Sequence, residues 1–223
     1  MLSAVSTVAL KTFTLFQGLP DEVLVKVAAV SGMRRYPRGH HVLDAGDEGD
    51  HVYFVLTGAA KVVVSGEGGR DAILGLLGRG AVFGEMAMFG GRPRSASVVT
   101  AEPSDLVQIS VGDFRRLMQE NFELAWRVMC LLADRLREAD RKIESLALRD
   151  VHSRVEELLR EMAQPCPEGS FVATRITKQD IARMVGASRE MVSRVMRDLS
   201  RGGIVEERPD GILLKDRPAG EAD

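Results

Sequence analysis

Phe83-Gly84-Glu85-Met86-Ala87-Met88-Phe89-Gly90-Gly91-Arg92-Pro93-Arg94-Ser95-Ala96-Ser97-Val98 combines an anion site and a sugar site in one short loop. Gly84 lets the backbone turn tightly, and the residues after it open a helical turn whose free N–H groups can face a phosphate. Arg94 adds a permanent planar charge. The Ser95 hydroxyl and nearby amides, those of Met86, Ala87 and Ala96 among them, add donors. Glu85 is acceptor-only when ionised, so it suits a sugar hydroxyl and would repel a second phosphate. One negative charge beside one sugar is what a cyclic nucleotide presents. A Gly-Glu pair alone fits a plain turn with a surface ion pair equally well; the whole string carries the reading.

On either side of this loop the chain changes character. From Gly32 to Ser110 short β-rich runs recur: Val42-Leu43, Val52 to Leu56, Ala60 to Val64, Ile73 to Leu77, Ser97 to Thr100 and Leu106 to Ile109. Turn signals separate them, including Ala45 to Gly49, Thr57-Gly58, Gly66 to Gly69 and Gly78 to Gly80. Many short strands with glycine turns indicate an antiparallel barrel or roll. Before it, Phe16 to Val30 reads as a short amphipathic helix entered through Pro20, with Asp21 and Glu22 in the first turn. After it come a short helix over Val111 to Glu120 and a long one over Phe122 to Leu148.

On the long helix Leu132, Leu136, Ala139, Ile143 and Leu146 are spaced four, three, four and three, flanked by charges. That is a heptad seam, and it favours pairing of two copies over packing on its own domain. A further helix runs from about Arg154 to Met162, and Gln164 to Gly169 reads as a turn-rich break.

The C-terminal third carries a second pattern. Thr177 caps a helix with Asp180 three residues on, Gly186 permits a sharp turn, and Ser188 caps a second helix that ends at Gly202-Gly203. Ile204 to Glu206 and Ile212 to Leu214, around Pro209-Asp210-Gly211, read as a hairpin. The second helix exposes Arg189, Glu190 and Arg194 near its start. Arginine can pair with guanine O6 and N7, and glutamate can accept from the cytosine amino group. From Ala173 to Gly203 seven bases stand against three acids, a local +4 inside a chain whose net charge is −2. Any nucleic-acid site must therefore be local.

Composition bounds the remaining possibilities. A chain of 223 residues, 45% hydrophobic and 28% charged, can bury a core and form more than one domain. Cys130 and Cys166 provide neither a disulfide framework nor a metal cluster. Cys130 reads as a small core residue and Cys166 as a loop residue. His40, His41, His51 and His152 lack ligand spacing. There is no leader-like start and no apolar run long enough to span a bilayer, so no membrane partner and a cytoplasmic location are expected. No nucleophile–base pair, metal motif or paired carboxylates suggest an enzyme.

Phe83-Gly84-Glu85-Met86-Ala87 with Pro93-Arg94-Ser95-Ala96 resembles the phosphate-binding cassette of cyclic-nucleotide-binding domains. Ile176-Thr177-Lys178-Gln179-Asp180-Ile181-Ala182 followed by Val185-Gly186-Ala187-Ser188-Arg189-Glu190 resembles the DNA-binding domain of the cyclic AMP receptor protein and fumarate–nitrate regulator family. Together the resemblances cover nearly the whole chain. They imply an α+β protein: an antiparallel β-roll (a cyclic-nucleotide-binding jelly roll) over 1–120, a dimerisation helix over 121–150 and a winged helix-turn-helix over 151–223.

The resemblance further implies a homodimer that binds double-stranded DNA at a TGTGA-like palindrome under control of cyclic AMP, with RNA polymerase as a further partner and no cofactor. By it Gly84, Glu85, Arg94 and Ser95 meet phosphate and ribose, Leu74 and Val98 wall the pocket, and Arg135 reaches Glu85. Arg189, Glu190 and Arg194 read bases, while Thr177, Lys178 and Ser188 hold phosphates. Met191 replaces a threonine of the archetype. Ala139-Asp140 replaces the Thr-Ser pair that meets adenine; Asp140 could accept from adenine or guanine, so the base stays open. Cyclic GMP, cyclic di-GMP or ligand-independent action are the alternatives. Members responding to cyclic di-GMP tend to lose the cassette arginine, which this chain keeps. The family's iron–sulfur branch needs N-terminal cysteines, absent before Cys130.

Overall fold

A run such as Val52-Tyr53-Phe54-Val55 shows no alternation because its strand is buried on both faces. The computed structural model describes residues 3–66, 71–89, 91–172 and 176–215, and the chain divides into two units, Met1–Arg137 and Glu138–Asp223. Of the features read from sequence, Glu67-Gly68-Gly69, Gly90, and Ala173 to Arg175 lie outside the described residues.

In the first unit the strands are β1 (Ser3–Ala4), β2 (Ser31–Tyr36), β3 (His41–Leu43), β4 (His51–Thr57), β5 (Ala60–Ser65), β6 (Asp71–Leu77), β7 (Val82–Phe83), β8 (Ser97–Thr100) and β9 (Ser104–Ser110). They form two antiparallel sheets, β1-β2-β9-β4-β7 and β3-β8-β5-β6. Val52 and Phe54 of β4 face a core shared with helices α1 (Thr7–Leu10), α2 (Asp21–Ala29), α3 (Val111–Glu120) and the start of α4 (Phe122–Leu148). Tyr53 and Val55 face the other way, among Tyr36, Ala60, Phe83, Val98 and Leu106. The first core is aromatic: Phe13, Phe16, Phe54 and Phe114 meet edge-on or tilted, with Phe16 and Phe54 centroids 4.9 Å apart. The expected β-roll is thus present.

Two details depart from the sequence reading. The stretch Phe16 to Val30 is not one helix, because a 3-10 turn at Thr14–Phe16 precedes α2. Strand β2 was hidden by exposed Arg34 and Arg35, yet it pairs with β9 from Ser31↔Ile109 to Tyr36↔Ser104. Cys130 is a clear correction, since it is exposed rather than in the core. Helix α4 buries Leu124 and Val128, and a residue two places past Val128 points about 200° away on a 3.6-residue helix.

The second unit comprises the end of α4, α5 (Val151–Met162), β10 (Gln164–Cys166), β11 (Gly169–Val172), α6 (Lys178–Val185), α7 (Arg189–Arg201), β12 (Val205–Arg208) and β13 (Gly211–Leu214). Helix α5 starts earlier than expected because Asp150 caps it, accepting from the Ser153 amide at 2.8 Å. The stretch read as a break is the β10–β11 hairpin. Its proline-bearing strand lies at the edge of the sheet β10-β11-β13-β12, where a missing N–H is tolerated. Val155, Leu159, Ile181, Val185, Val192, Val195, Met196 and Leu199 fill this unit's core. No described helix is long and apolar enough to cross a membrane.

Candidate functional site

Strand β7 ends at Phe83, and Gly84 turns the chain with φ 80°, a region that costs other residues steric strain. A 3-10 turn over Glu85–Met88 follows. Glu85 is only 1% exposed. Arg135 of α4 donates to Glu85 Oε1 at 2.5 Å and also to the Val82 carbonyl. Glu85 Oε2 is buried and has no hydrogen-bond partner. The expected meeting of Arg135 and Glu85 is therefore present, and it leaves one buried acceptor spare.

Arg94, 6% exposed, approaches the same turn from the other side. Its Nη1 donates to the Gly84 carbonyl at 2.6 Å and its Nη2 to the His51 carbonyl at 2.7 Å. Its Nε is buried without a partner. Paired main-chain bonds fix the arginine's backbone: Arg94 N–H donates to Asp47 O at 2.8 Å, and Gly46 N–H donates to Arg94 O at 2.9 Å. Burial lowers the Arg94 pKa, while Tyr53, Asp50 and Glu85 push it back up. Asp50 is held below its ordinary value chiefly by its bond to His51. Tyr53 stacks on Phe83 at 5.1 Å, and burial pushes its phenol up to about 12, so it stays neutral.

An unpaired buried donor or acceptor costs about 1–3 kcal/mol, and more when charged. A spare acceptor on a glycine-led turn, with a spare donor on the arginine that approaches it, is therefore suited to a ligand that carries an anion and a hydroxyl.

Three supports went unread in the sequence. Gly49 lies so close to Ala87 that an added Cβ would overlap the Ala87 methyl and sit 2.8 Å from Arg94 Cζ. The His51 carbonyl holds Arg94. Arg115 of α3 donates to Met88 O at 2.8 Å and so caps the end of the turn. None has a sequence signal, because each acts on a segment far away in the chain.

The other expected ligand contacts are placed variously. Met86 and Ser95 are exposed, with the Ser95 hydroxyl 3.9 Å from the Met86 sulfur. Ala87 and Ala96 are half-buried. Leu74 is exposed on β6, whereas Val98, expected as a pocket wall, belongs to the inter-sheet core. Ala139 and Asp140 are exposed on α4.

The seam is largely uncovered. Leu136 is 64% and Ile143 65% exposed, and Ala139 and Leu146 are exposed as well. Leu132 is the exception, half-buried against the roll's own core. Seven-residue steps back from Ile143 and Leu136 reach Met129 and Phe122, both exposed, Phe122 by 74%. The apolar stripe thus begins at Phe122 rather than at Leu132, where the sequence reading placed it.

In the second unit Thr177 and Asp180 form the expected capping box. This engages the Thr177 hydroxyl, which donates to Asp180 Oδ2 at 2.8 Å and is not free to donate to a phosphate. The Ser188 hydroxyl accepts from the Met191 amide at 3.1 Å and caps α7. Lys178 pairs with Glu207 at 2.8 Å. Arg189, Glu190 and Arg194 are exposed at the start of α7. The Glu190 carboxyl is held below its usual range by its own backbone N–H and then by the Ser188 hydroxyl, so it is ready as an acceptor.

Comparison with known proteins agrees with this geometry. Residues 33–121 match the Cyclic nucleotide-binding domain family, and residues 153–219 match the Crp-like helix-turn-helix domain family. The chain is 35% identical over 200 residues to the cAMP-activated global transcriptional regulator Vfr of Pseudomonas aeruginosa, covering 86% of this chain and 92% of Vfr. It is 31% identical over 207 residues to the Cyclic AMP receptor protein of Thermus thermophilus, covering 93% and 94%. Among solved structures, the c-di-GMP-responsive global regulator CLP of Xanthomonas campestris superposes with a TM-score of 0.77 at 28% identity, over 89% of this chain and 100% of that one.

Proposed function

The chain belongs to the cyclic AMP receptor protein and fumarate–nitrate regulator family of DNA-binding transcription regulators, and on that premise we propose that it is a homodimer whose grip on a palindromic DNA site is set by cyclic AMP. The observation that carries the effector side is the pair of orphaned buried atoms, Glu85 Oε2 and Arg94 Nε. A ribose hydroxyl would satisfy the first and a singly charged cyclic phosphate the second. The relatives named above as cAMP-activated or cyclic AMP receptors favour adenine.

Arg135 links this pocket to α4, whose exposed Leu136, Ala139, Ile143 and Leu146 would pair with the same residues of a second copy. The ligand acts by binding the DNA-competent arrangement more tightly than the other. That arrangement would set two α7 helices about 34–36 Å apart, with Arg189, Glu190 and Arg194 reading a TGTGA-like half-site and Ser188 holding a phosphate, while Lys178, expected beside it, is engaged by Glu207. RNA polymerase is the protein partner that such a regulator would engage.

The likeness to the c-di-GMP-responsive regulator CLP favours one second reading, in which the same pocket takes cyclic di-GMP. Calorimetric titration with cyclic AMP, cyclic GMP and cyclic di-GMP separates them. Fluorescence anisotropy on a palindromic duplex at fixed salt, with and without the nucleotide that binds, tests the switch. Equal DNA affinity in both conditions would overturn it.

A further inference from the structure

Two groups of cations in the DNA-binding unit stand in contrast. On the β12–β13 hairpin and its surroundings they are already neutralised. Arg208 bonds Glu168 at 2.6 Å and Glu206 at 2.9 Å, Lys215 bonds Glu206 at 2.9 Å, and Lys178 bonds Glu207 at 2.8 Å. Glu206 serves two cations and its pKa is drawn down to about 2, first by the hydrogen bond from Lys215. On α7, Arg189, Arg194, Arg197 and Arg201 are all exposed and make no salt bridge among the described residues. Asp198 lies within four residues of both Arg194 and Arg201, yet pairs with neither.

The helix geometry places Arg194, Arg197 and Arg201 on the same side as Glu190. At 100° per residue, Arg197 and Arg201 lie within about 20° of Glu190 around the axis, and about 10 Å and 16 Å further along it. Val192, Val195, Met196 and Leu199 occupy the buried side. The major groove is about 12 Å wide, so a helix whose first turn meets base edges brings residues two and three turns later to the phosphates that border the groove.

We infer that Arg197 and Arg201 are phosphate-anchoring residues, so that this protein grips the DNA backbone along the far end of its recognition helix rather than through its hairpin wing. The inference rests on the DNA-binding reading. Two features separate anchoring from base reading: it is indifferent to sequence, and a lysine can replace the arginine, because a phosphate accepts a point charge while a guanine edge wants the planar fork.

The test is anisotropy on the full-length protein across a salt series. The probes are a duplex bearing a TGTGA-like palindrome, with cyclic AMP present, and a scrambled duplex of equal length. Removing one phosphate-binding charge from each copy of a dimer should reduce the slope of log K against log salt by about 1.8. Arg197→Gln and Arg201→Gln are expected to flatten the slope on both duplexes, Arg197→Lys to restore it, and the wing pair Arg208→Gln/Lys215→Gln to leave it unchanged. An unchanged slope in both helix variants, a flattened slope in the wing pair, or no rescue by lysine would overturn the assignment. If the unsubstituted protein binds neither duplex, the DNA-binding reading fails before this one is reached.

Discussion

Gly49→Ala isolates the contact that seats the cassette arginine. Gly49 belongs to the loop before β4, and its ideal Cβ would overlap the Ala87 methyl and lie 2.8 Å from Arg94 Cζ and 2.9 Å from Arg94 Nε. Separations this short must be relieved, and neither neighbour is free to move. Ala87 sits on the 3-10 turn capped by Arg115, and the Arg94 guanidinium is held by two carbonyls at 2.6 Å and 2.7 Å. Overpacking a tight site costs about 1–3 kcal/mol. For a unit of this size that lowers Tm by roughly 3–15 °C, at some 3–5 °C per kcal/mol. Displacing Arg94 Nε should also weaken one charge-assisted bond to a phosphate, about 1.5–3 kcal/mol, or about ten- to 150-fold in nucleotide Kd. Gly78→Ala is the control, since nothing lies within 4 Å of its ideal Cβ; its Tm and Kd should match the parent. Scanning calorimetry reads the first quantity and isothermal titration the second. Gly49→Ala with the parent's Tm and the parent's Kd would refute the close approach and the role given to it.

Other consequences follow from the same geometry. Glu85→Gln keeps the shape but removes the charge facing Arg135, a side chain one-third exposed. The loss should be about 1–3 kcal/mol, below the 3–5 typical of a fully buried pair, and thermal denaturation with and without nucleotide should show both a lower Tm and a smaller ligand-induced rise. Ile143→Glu should yield a monomer by analytical ultracentrifugation, with helical content by circular dichroism unchanged. Two Ile143 side chains leaving water together contribute about 3–6 kcal/mol to a dimer. The Glu206 pKa is depressed in the folded state, so its pairing stabilises above the unfolded carboxylate value of about 4.3 and is lost as pH falls toward about 2. The parent should therefore lose stability more steeply than Glu206→Gln between those pH values in acid-unfolding curves.

What was legible in the sequence was local or periodic. The Thr177–Asp180 capping box, the Ser188 cap and the Gly84 turn each span a few residues and hold in the structure. The ends of α4, Phe122 and Leu148, coincide with those read from its pattern. What stayed hidden was long-range or overlaid. Nothing near Gly49, His51 or Arg115 announces a contact with the Glu85–Met88 turn or with Arg94, some 27 to 43 residues away. The start of the α4 stripe was obscured because two apolar stripes overlap there. Leu124 and Val128 pack on the roll, while Phe122 and Met129 do not. Once Cys130 is placed on the exposed side, the two stripes separate.

That overlap bears on how a signal could pass. Helix α4 serves three purposes: Leu124 and Val128 anchor it in the roll's core, Arg135 takes Glu85, and the uncovered stripe through Phe122, Met129, Leu136 and Ile143 forms the seam. Arg135 and Leu136 are neighbours, about 100° apart on the helix. A ligand on Glu85 Oε2 need not move the helix far, because a small rotation that re-aims Arg135 turns Leu136 by the same angle. Interdigitated seams accept discrete arrangements rather than a continuum. A coupling of 1–3 kcal/mol, typical of allosteric proteins, would then change DNA affinity roughly 5–150-fold. Such a coupling needs only that the charge-assisted bond between Glu85 and Arg135 differ in strength between two seam packings, and the spare oxygen of Glu85 is where a nucleotide hydroxyl would make that difference.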